Sequence, residues 1–380
     1  MKRSNIFVIS HALVVPENRK RWEELASLTN KYKIILLIPE YWESTWFGDK
    51  KTWSTQNYQS EALEIVAVKT THPSDWSRYR IEGLPALLKK YQPLVTFAMI
   101  EEYSHGLHWT LLNTKLYSRK TKIGFFSWQN LKIPNDTITK KVRWYLLNGL
   151  SDFFLAGTNK IAELFYAKGY TKKIYTQTEI GVDPKIFYPD LKKRDLVREK
   201  LKLDKDCYTI GFVGRIVSLK GVFDLLAAVK LLPTDLDTKL VIVGDGDERS
   251  AFGDKVRELD LVDKVIITGH IDQSEVPDYM RAFDVMVLPS RSTEDWTEQF
   301  GLVIPQAQLC GIPVIGADSG AIVEVVGDDR FIFPEGDEVA LSKLLIDREN
   351  LKKQDTKKAL RYSVKQIAAD TLQIIEEVLK

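Results

Sequence analysis

This chain is short of cysteine, of long apolar runs and of repetition, and each shortage removes a class of protein. Its two cysteines, Cys207 and Cys310, are too few for a disulfide framework. No apolar stretch approaches the roughly 18 residues that a membrane-spanning helix needs. Ile6 to Ile9 is too brief for a signal-peptide core, and the polar Ser10 and His11 follow at once. The sequence has no repeat of solenoid length and no low-complexity segment. The expectation is a cytoplasmic protein of ordinary globular composition, with 44% apolar and 28% charged residues.

What the chain does have is unevenly spread. Its 380 residues suffice for two domains. The net charge of +2 conceals an asymmetry: residues 1–190 hold 27 Lys and Arg against 18 Asp and Glu, and the remainder holds 27 against 34. Eight of the nine tryptophans also lie in the first part, and Trp296 is the ninth. A basic, aromatic half and an acidic half suit two domains with different ligands. The first would face something anionic, or an interface.

In the first half, Asn5 to Ile9 and Ile34 to Ile38 read as buried strands, with a helix from Arg19 to about Thr29 between them. Glu40 to Gln59 reads as a long irregular loop carrying Trp42, Trp46, Phe47 and Trp53, aromatics suited to a sugar ring or a membrane interface. Further strands are expected at Leu63–Val68, Leu94–Ile100, Ile123–Phe126 and Phe153–Leu155. Alternating strands and helices imply a parallel sheet, and such sheets bind ligands beyond the carboxyl ends of their strands. That rule singles out His11, Glu101 to Ser104, Ser127 to Asn130, and Gly157-Thr158. His11, Glu102 and Ser127 are taken as the candidate ligand-side residues of this half. A metal site built from Glu102, His105 and His108 fits the spacing less well than helix-start packing does.

From Tyr208 a second doubly wound pattern begins, with strands at Thr209–Val213, Leu240–Val243, Val265–Thr268 and Val285–Leu288. Gly211-Phe212-Val213-Gly214-Arg215 ends a strand in a tight turn, and Lys220-Gly221 follows. Arg215 offers a fork to phosphate oxygens, and Lys220 a compact charge that can reach the same group. From Asp284 to Asp328 the chain reads as a strand, a loop with Glu294, Asp295 and Glu298, a helix entered at Gly301, and a strand from Pro313. A helix entered at a glycine presents unpaired N–H groups to an anion. Glu298 beside it fits a ligand that also carries hydroxyls, such as a sugar on a diphosphate. Cys310 reads as helix packing.

Glu298-Gln299-Phe300-Gly301, Gln306-Ala307 and Gly311-Ile312-Pro313-Val314, together with Gly214-Arg215 and Lys220, resemble the signature of the retaining glycosyltransferases of family 4 (glycosyl transferases group 1). The family's pattern has a second Glu where this chain has Gln306. The resemblance implies the GT-B architecture: two Rossmann-like doubly wound α/β domains facing a central cleft. The first, 1–185, would bind the acceptor, and the second, 190–362, the donor. A last helix at about 364–380 would cross back onto the first. It assigns Arg215 and Lys220 to the donor diphosphate, Glu298 to the sugar hydroxyls, Gln306 to the ribose, and His270 and Ile271 to the border of the base. Gly214, Phe300, Gly301 and Leu302 would line the same donor site.

The implied reaction moves a sugar from a UDP-, GDP- or other nucleoside-diphosphate sugar to a sugar, glycan or lipid-linked acceptor, with retention and without a metal. No further cofactor and no nucleic acid partner are expected; an anionic membrane surface is. The alternatives are a sugar-nucleotide epimerase of the same architecture and a non-catalytic nucleotide-sugar-binding subunit.

Overall fold

The structure is a computed structural model that describes residues 3–44, 51–131 and 137–380. The chain divides into two compact units, Met1–Gly181 with Val364–Lys380, and Val182–Ser363. Among the described residues no helix is long and apolar enough to cross a membrane.

The first unit opens with β1 (Ser4–Ile9), α1 (Lys20–Leu28) and β2 (Tyr32–Pro39). Two small pairs follow, β3 (Tyr41–Ser44) with β4 (Lys51–Ser54), and, after β5 (Tyr58–Gln59) and β6 (Leu63–Val68), β7 (Thr70–Thr71) with β8 (Arg80–Ile81). Then come α2 (Leu84–Tyr91), β9 (Val95–Ala98), α3 (His105–Tyr117), β10 (Lys122–Ser127), α4 (Ile138–Leu150), β11 (Phe153–Ala156), α5 (Asn159–Ala167) and β12 (Lys173–Thr176). Eight strands form one sheet in the order β12-β11-β10-β9-β1-β2-β6-β5, parallel except for β5. Strand order reverses between β1 and β9, where such a sheet leaves a crevice at its carboxyl ends. The strands are buried on both faces, which is why they read as near-continuous apolar runs.

Beside β10 and β11 the core is aromatic: Phe125 stacks on Phe154 at 4.4 Å, and Phe154 meets Phe165 at 4.3 Å. Each such side chain contributes about 1.5–3 kcal/mol by burial. The chain's last helix, Val364–Val378, packs on α1 and buries Ile367, Ala368, Thr371, Ile374 and Ile375. Arg21 on α1, itself buried, clips this region together. Its guanidinium donates to the carbonyls of Thr178 and Glu179, both at 3.0 Å, and to Thr371 Oγ1 at 2.8 Å. Burial brings its pKa down to about 10.

The stretch Glu40–Gln59 departs from the loop reading. Trp42 pairs across β3 and β4 with Trp53, is itself buried, and lies 5.4 Å from Tyr79; Trp53 packs against the same core. Trp42 is therefore no interfacial anchor, because burying its indole inside the unit removes it from any outside surface, whereas Trp53 is half-buried. Trp46 and Phe47 lie outside the described residues.

The second unit holds α6 (Leu191–Lys200), β13 (Tyr208–Val213), α7 (Val222–Lys230), β14 (Thr238–Val243), α8 (Arg249–Glu258), β15 (Val265–Ile267), α9 (Val276–Arg281), β16 (Val285–Leu288), α10 (Val303–Leu309), β17 (Val314–Ala317), α11 (Ile322–Val326), β18 (Ile332–Phe333) and α12 (Glu338–Ile346). Its sheet is parallel, in the order β15-β14-β13-β16-β17-β18, so the reversal falls between β13 and β16. Arg198 on α6 is a buried clip here, donating to Thr209 Oγ1 at 2.9 Å and to the carbonyls of Ala282 at 3.0 Å and Cys207 at 2.7 Å.

Candidate functional site

In the second unit the loops after β13 and β16 bring together residues far apart in sequence. Lys220 ends a short 3-10 turn, Ser218–Lys220, and its ammonium donates to Glu298 Oε2 at 2.6 Å. Ser290, one residue beyond Pro289 at the end of β16, donates to the same oxygen at 2.9 Å. The Lys220 ammonium also lies 4.9 Å from the ring centroid of Trp296, a cation–π contact. Glu298 is buried, so lysine and serine fix the carboxylate's orientation in a place that water reaches poorly. Arg215 stands exposed at the end of β13.

Two glycines are needed for this convergence. Gly221 has φ +67°, and a Cβ there would lie 1.8 Å from the carbonyl oxygen of Pro289. Only a residue without a side chain lets the Lys220 turn approach the end of β16 so closely. Gly320 has φ +56°, and its Cβ would meet the carbonyl oxygen of Glu298 at 2.1 Å. The next residue, Ala321, donates its N–H to that same carbonyl at 3.0 Å. The turn after β17 therefore holds the Glu298 loop from behind.

The other donor-side candidates are placed as follows. Gly301, with φ +77°, precedes the short α10, whose first N–H bonds run from Ile304 to Gly301 and from Gln306 to Leu302. Gln306 is half-buried on that helix. Phe300 is buried edge-on against Tyr362, centroids 5.1 Å apart, and Leu302 packs on Val182, Leu309 and Ala359. Both side chains pack within the unit. Gly214 closes on the turn after β14, where Gly244 faces its carbonyl. His270 is exposed beyond β15 and Ile271 half-buried, beside a turn fixed by Arg249 and Asp245 at 2.5 Å. Burial pushes the Cys310 thiol up to about 12, so it is an inert packing group.

The first unit's switch point carries a different constellation. Ser127 Oγ lies 2.8 Å from Glu101 Oε2 and 2.7 Å from Glu102 Oε2, and accepts the N–H of Gln129 at 2.9 Å. One hydroxyl proton cannot serve two carboxylates, so a carboxyl proton completes the arrangement. Burial, and for Glu101 the neighbouring Glu102 charge, raises both carboxyls above the usual range. Glu179, raised by burial, accepts from Trp128 Nε1 at 3.1 Å. Among the described residues Glu102 Oε1 has no hydrogen-bond partner and is buried.

His11 lies between Trp42, at 4.9 Å, and Tyr79, at 5.4 Å, and burial pushes its pKa down to about 4. It is a neutral imidazole whose Nδ1 has no partner among the described residues. Both ring nitrogens of His108 meet backbone carbonyls, Ser104 at 2.9 Å and Arg143 at 3.1 Å, which makes it a packing residue. Among the described residues no three His, Cys, Asp or Glu side chains are grouped to hold a metal.

Sequence reasoning passed over the roles of Ser290 and Trp296 in the second unit, and of Tyr79 and Glu179 in the first. None belongs to a local motif. Glu101 lies in the Glu101 to Ser104 stretch that the strand-end rule singles out.

Residues 193–366, within and just beyond the second unit, match the family model described as glycosyl transferases group 1. A D-inositol 3-phosphate glycosyltransferase of Xylanimonas cellulosilytica is 36% identical over 160 residues, 39% of this chain and 36% of that protein. The chain thus spans well under half the length of this relative. Among solved structures, the sucrose-phosphate synthase of Thermosynechococcus elongatus superposes with a TM-score of 0.70 at 20% identity, covering 99% of each chain. An Anabaena protein crystallised with UDP and glucose gives 0.67 at 15%, covering 99% of this chain and all of that one. At such identities the likeness concerns the fold, which is the GT-B type with two Rossmann-like domains.

Proposed function

We propose that this protein is a retaining glycosyltransferase that takes its sugar from a nucleoside-diphosphate donor held by the second unit. The observation that carries the reading is the Lys220–Glu298 pair, 2.6 Å apart and joined by Ser290, at the switch point of the sheet within the stretch that matches the group 1 glycosyltransferase family. When a sugar leaves a nucleoside diphosphate, negative charge grows on the departing phosphate. Arg215 and Lys220 are cations that the fold sets beyond the end of β13 before any charge develops, so little reorganisation is needed. Glu298, already oriented, accepts hydrogen bonds from sugar hydroxyls, and Gln306 reaches the ribose without charge assistance. In this reading the two side-chain cations, rather than a metal, neutralise the leaving group. UDP is the first nucleotide to try, since a protein of the same fold binds it.

The acceptor belongs to the first unit, where the proton-sharing Glu101–Glu102 pair, Ser127 and His11 surround the switch point. The same reading places the first unit on an anionic bilayer in cell-envelope glycan, polysaccharide or glycolipid synthesis. On α4, Ile138, Val142 and Tyr145 form an exposed stripe at helical spacing, with Lys140 and Lys141 exposed beside it. Trp144 instead turns inward to Phe165, centroids 5.4 Å apart.

Thermal-shift screening of nucleotide sugars tests the donor, and product anomer analysis by NMR tests retention. A chain that no nucleotide sugar stabilises, or that interconverts a nucleotide sugar without an acceptor, overturns the transferase reading. Activity that chelators abolish overturns the metal-free part. Failure to sediment with anionic liposomes at low salt overturns the docking part.

A further inference from the structure

Near the switch point of the first unit lies a second cluster that none of the roles above uses. A shallow cavity of about 300 Å³ is lined by His72, Arg78, Arg80 and His105. Arg143, reaching over from α4, completes it by donating to His105 Nε2 at 3.0 Å. That geometry makes the imidazole an acceptor, hence neutral. Desolvation, then Arg143 and Arg80, lower its pKa in agreement. Three guanidinium groups on one small basin repel one another, and their compensation is slight. Arg78 lies 3.8 Å from Asp75. Among the described residues neither Arg80 nor Arg143 has a carboxylate at ion-pair distance. Arg80 is steadied only by the Trp109 ring, 5.4 Å away.

The basin sits where an acceptor would be handled. His105 opens α3, the helix after β9, directly beyond the Glu101–Glu102 pair, and its N–H is tied to the Ser77 carbonyl at 2.8 Å. The connection that presents Arg78 and Arg80 contains two non-glycine residues with left-handed backbone, His72 at φ +50° and Ser74 at φ +68°. Such conformations cost energy and persist only where surrounding contacts hold them. Two residues before Arg78 and before His105 in the chain, Trp76 and Tyr103 meet edge to face at 5.4 Å, and both are exposed.

We propose that Arg80, Arg143 and Arg78, with His105 and His72, seat the phosphate group of a phosphorylated acceptor. Guanidinium forks match phosphate oxygens in geometry, and several around one small basin favour a doubly charged group over a single carboxylate. Arriving phosphate relieves the mutual repulsion of the arginines and lets His105 take up a proton. The proposal rests on the transferase reading for the word acceptor, but the anion site itself does not.

The test measures binding of inorganic phosphate and glycerol 3-phosphate by calorimetry in low-chloride buffer. Sedimentation with vesicles of phosphatidylcholine, with and without phosphatidic acid, runs beside it. The wild type is compared with the double variants Arg80→Gln/Arg143→Gln and Arg80→Lys/Arg143→Lys, each checked for an unchanged melting curve. Saturable binding that the Gln pair weakens about tenfold or more, and that the Lys pair largely keeps, supports the site. Binding to the soluble phosphates assigns a free phosphorylated acceptor; binding confined to phosphatidic acid vesicles assigns a lipid headgroup. If no probe binds, or the Gln pair binds as the wild type does, the site is overturned. A nucleotide-sugar screen on the same samples keeps the two claims apart. Phosphate binding without any nucleotide response sinks the transferase reading and leaves the basin standing.

Discussion

At the carboxyl ends of β1 and β9 the first unit gathers three carboxylates, Glu101, Glu102 and Glu179, with a serine between two of them. At the same topological place, beyond β13 and β16, the second unit gathers one carboxylate already matched by a lysine. The two sheets share the strand order around their reversal points, so the fold does not dictate the difference. A carboxylate cluster lacking a cation stays partly protonated and acts as hydrogen-bond donor and acceptor toward neutral groups. A matched Lys–Glu pair keeps both charges and can offer one to a diphosphate and the other to hydroxyls.

The most direct way to break this comparison is to remove the charges that define the second site. Lys220→Ala and Arg215→Ala should each lower kcat/KM by about 10²–10³ while leaving the fold intact, the loss expected for a group aimed at developing charge. Glu298→Gln should cripple transfer as well, since it also breaks the link to Lys220 and Ser290. Steady-state kinetics beside a melting curve checks all three, and wild-type turnover in any of them removes its assignment.

A second blow falls on stability. Arg21→Ala should cost about 3 kcal/mol or more, because it leaves the carbonyls of Thr178 and Glu179 unpaired in a buried place and removes a donor from Thr371 Oγ1. Denaturant unfolding followed by tryptophan fluorescence would register it in the first unit, which holds eight of the nine tryptophans. A loss of less than about 1 kcal/mol would show that the clip is redundant.

The pH dependence sharpens the contrast further. For a carboxyl whose folded pKa is raised, the native state holds its proton longer than the unfolded chain does. Stability from that source is present at low pH and lost as pH climbs from the unfolded value toward the raised one. Glu101→Gln should therefore remove a decline in stability above the ordinary carboxylate range, about 1.4 kcal/mol per pH unit while the difference lasts. His11 works the other way: its pKa falls from 6.5 to about 4, so its contribution is lost on acidification below 6.5. Melting curves of Glu101→Gln and His11→Asn across pH 4–8 would separate the two slopes. The smallest effect expected is that of Gln306→Glu, which should be tolerated and tighten the donor severalfold through a charge-assisted bond to ribose. Loss of nucleotide binding there would mean that Gln306 does not face the ribose.

How much of this was legible in the sequence depends on how local each feature is. Val285–Leu288 stands between Asp284 and Pro289 and could only be a short buried strand. The parallel sheets announced themselves in the same way. The pairing of β3 with β4 did not, because the Trp42–Trp53 match appears only on pairing. Helix α6 escaped because its sequence, LKKRDLVREK, has almost no apolar face, and the residue it buries deepest is an arginine, Arg198. Lys220 and Glu298 could be picked out one by one from the turns that carry them. Ser290 and Trp296 could not, since their relation to Lys220 exists only after the loops beyond β13 and β16 converge. The basin of Arg78, Arg80, His105 and Arg143 escaped for the same reason: its members come from a hairpin and two helices.

The ring beneath the Lys220 ammonium has one more use. Trp296 is the only tryptophan in residues 182–363, and its indole lies 4.9 Å from a charge proposed to engage the donor. In protein labelled with 5-fluorotryptophan, its ¹⁹F resonance is identified by its disappearance in Trp296→Phe. That signal becomes a built-in spectroscopic gauge: any movement of the lysine toward or away from the ring changes the local field and shifts the line. Nucleotide sugars could be ranked this way before any acceptor is known, in a chain that needs no attached dye.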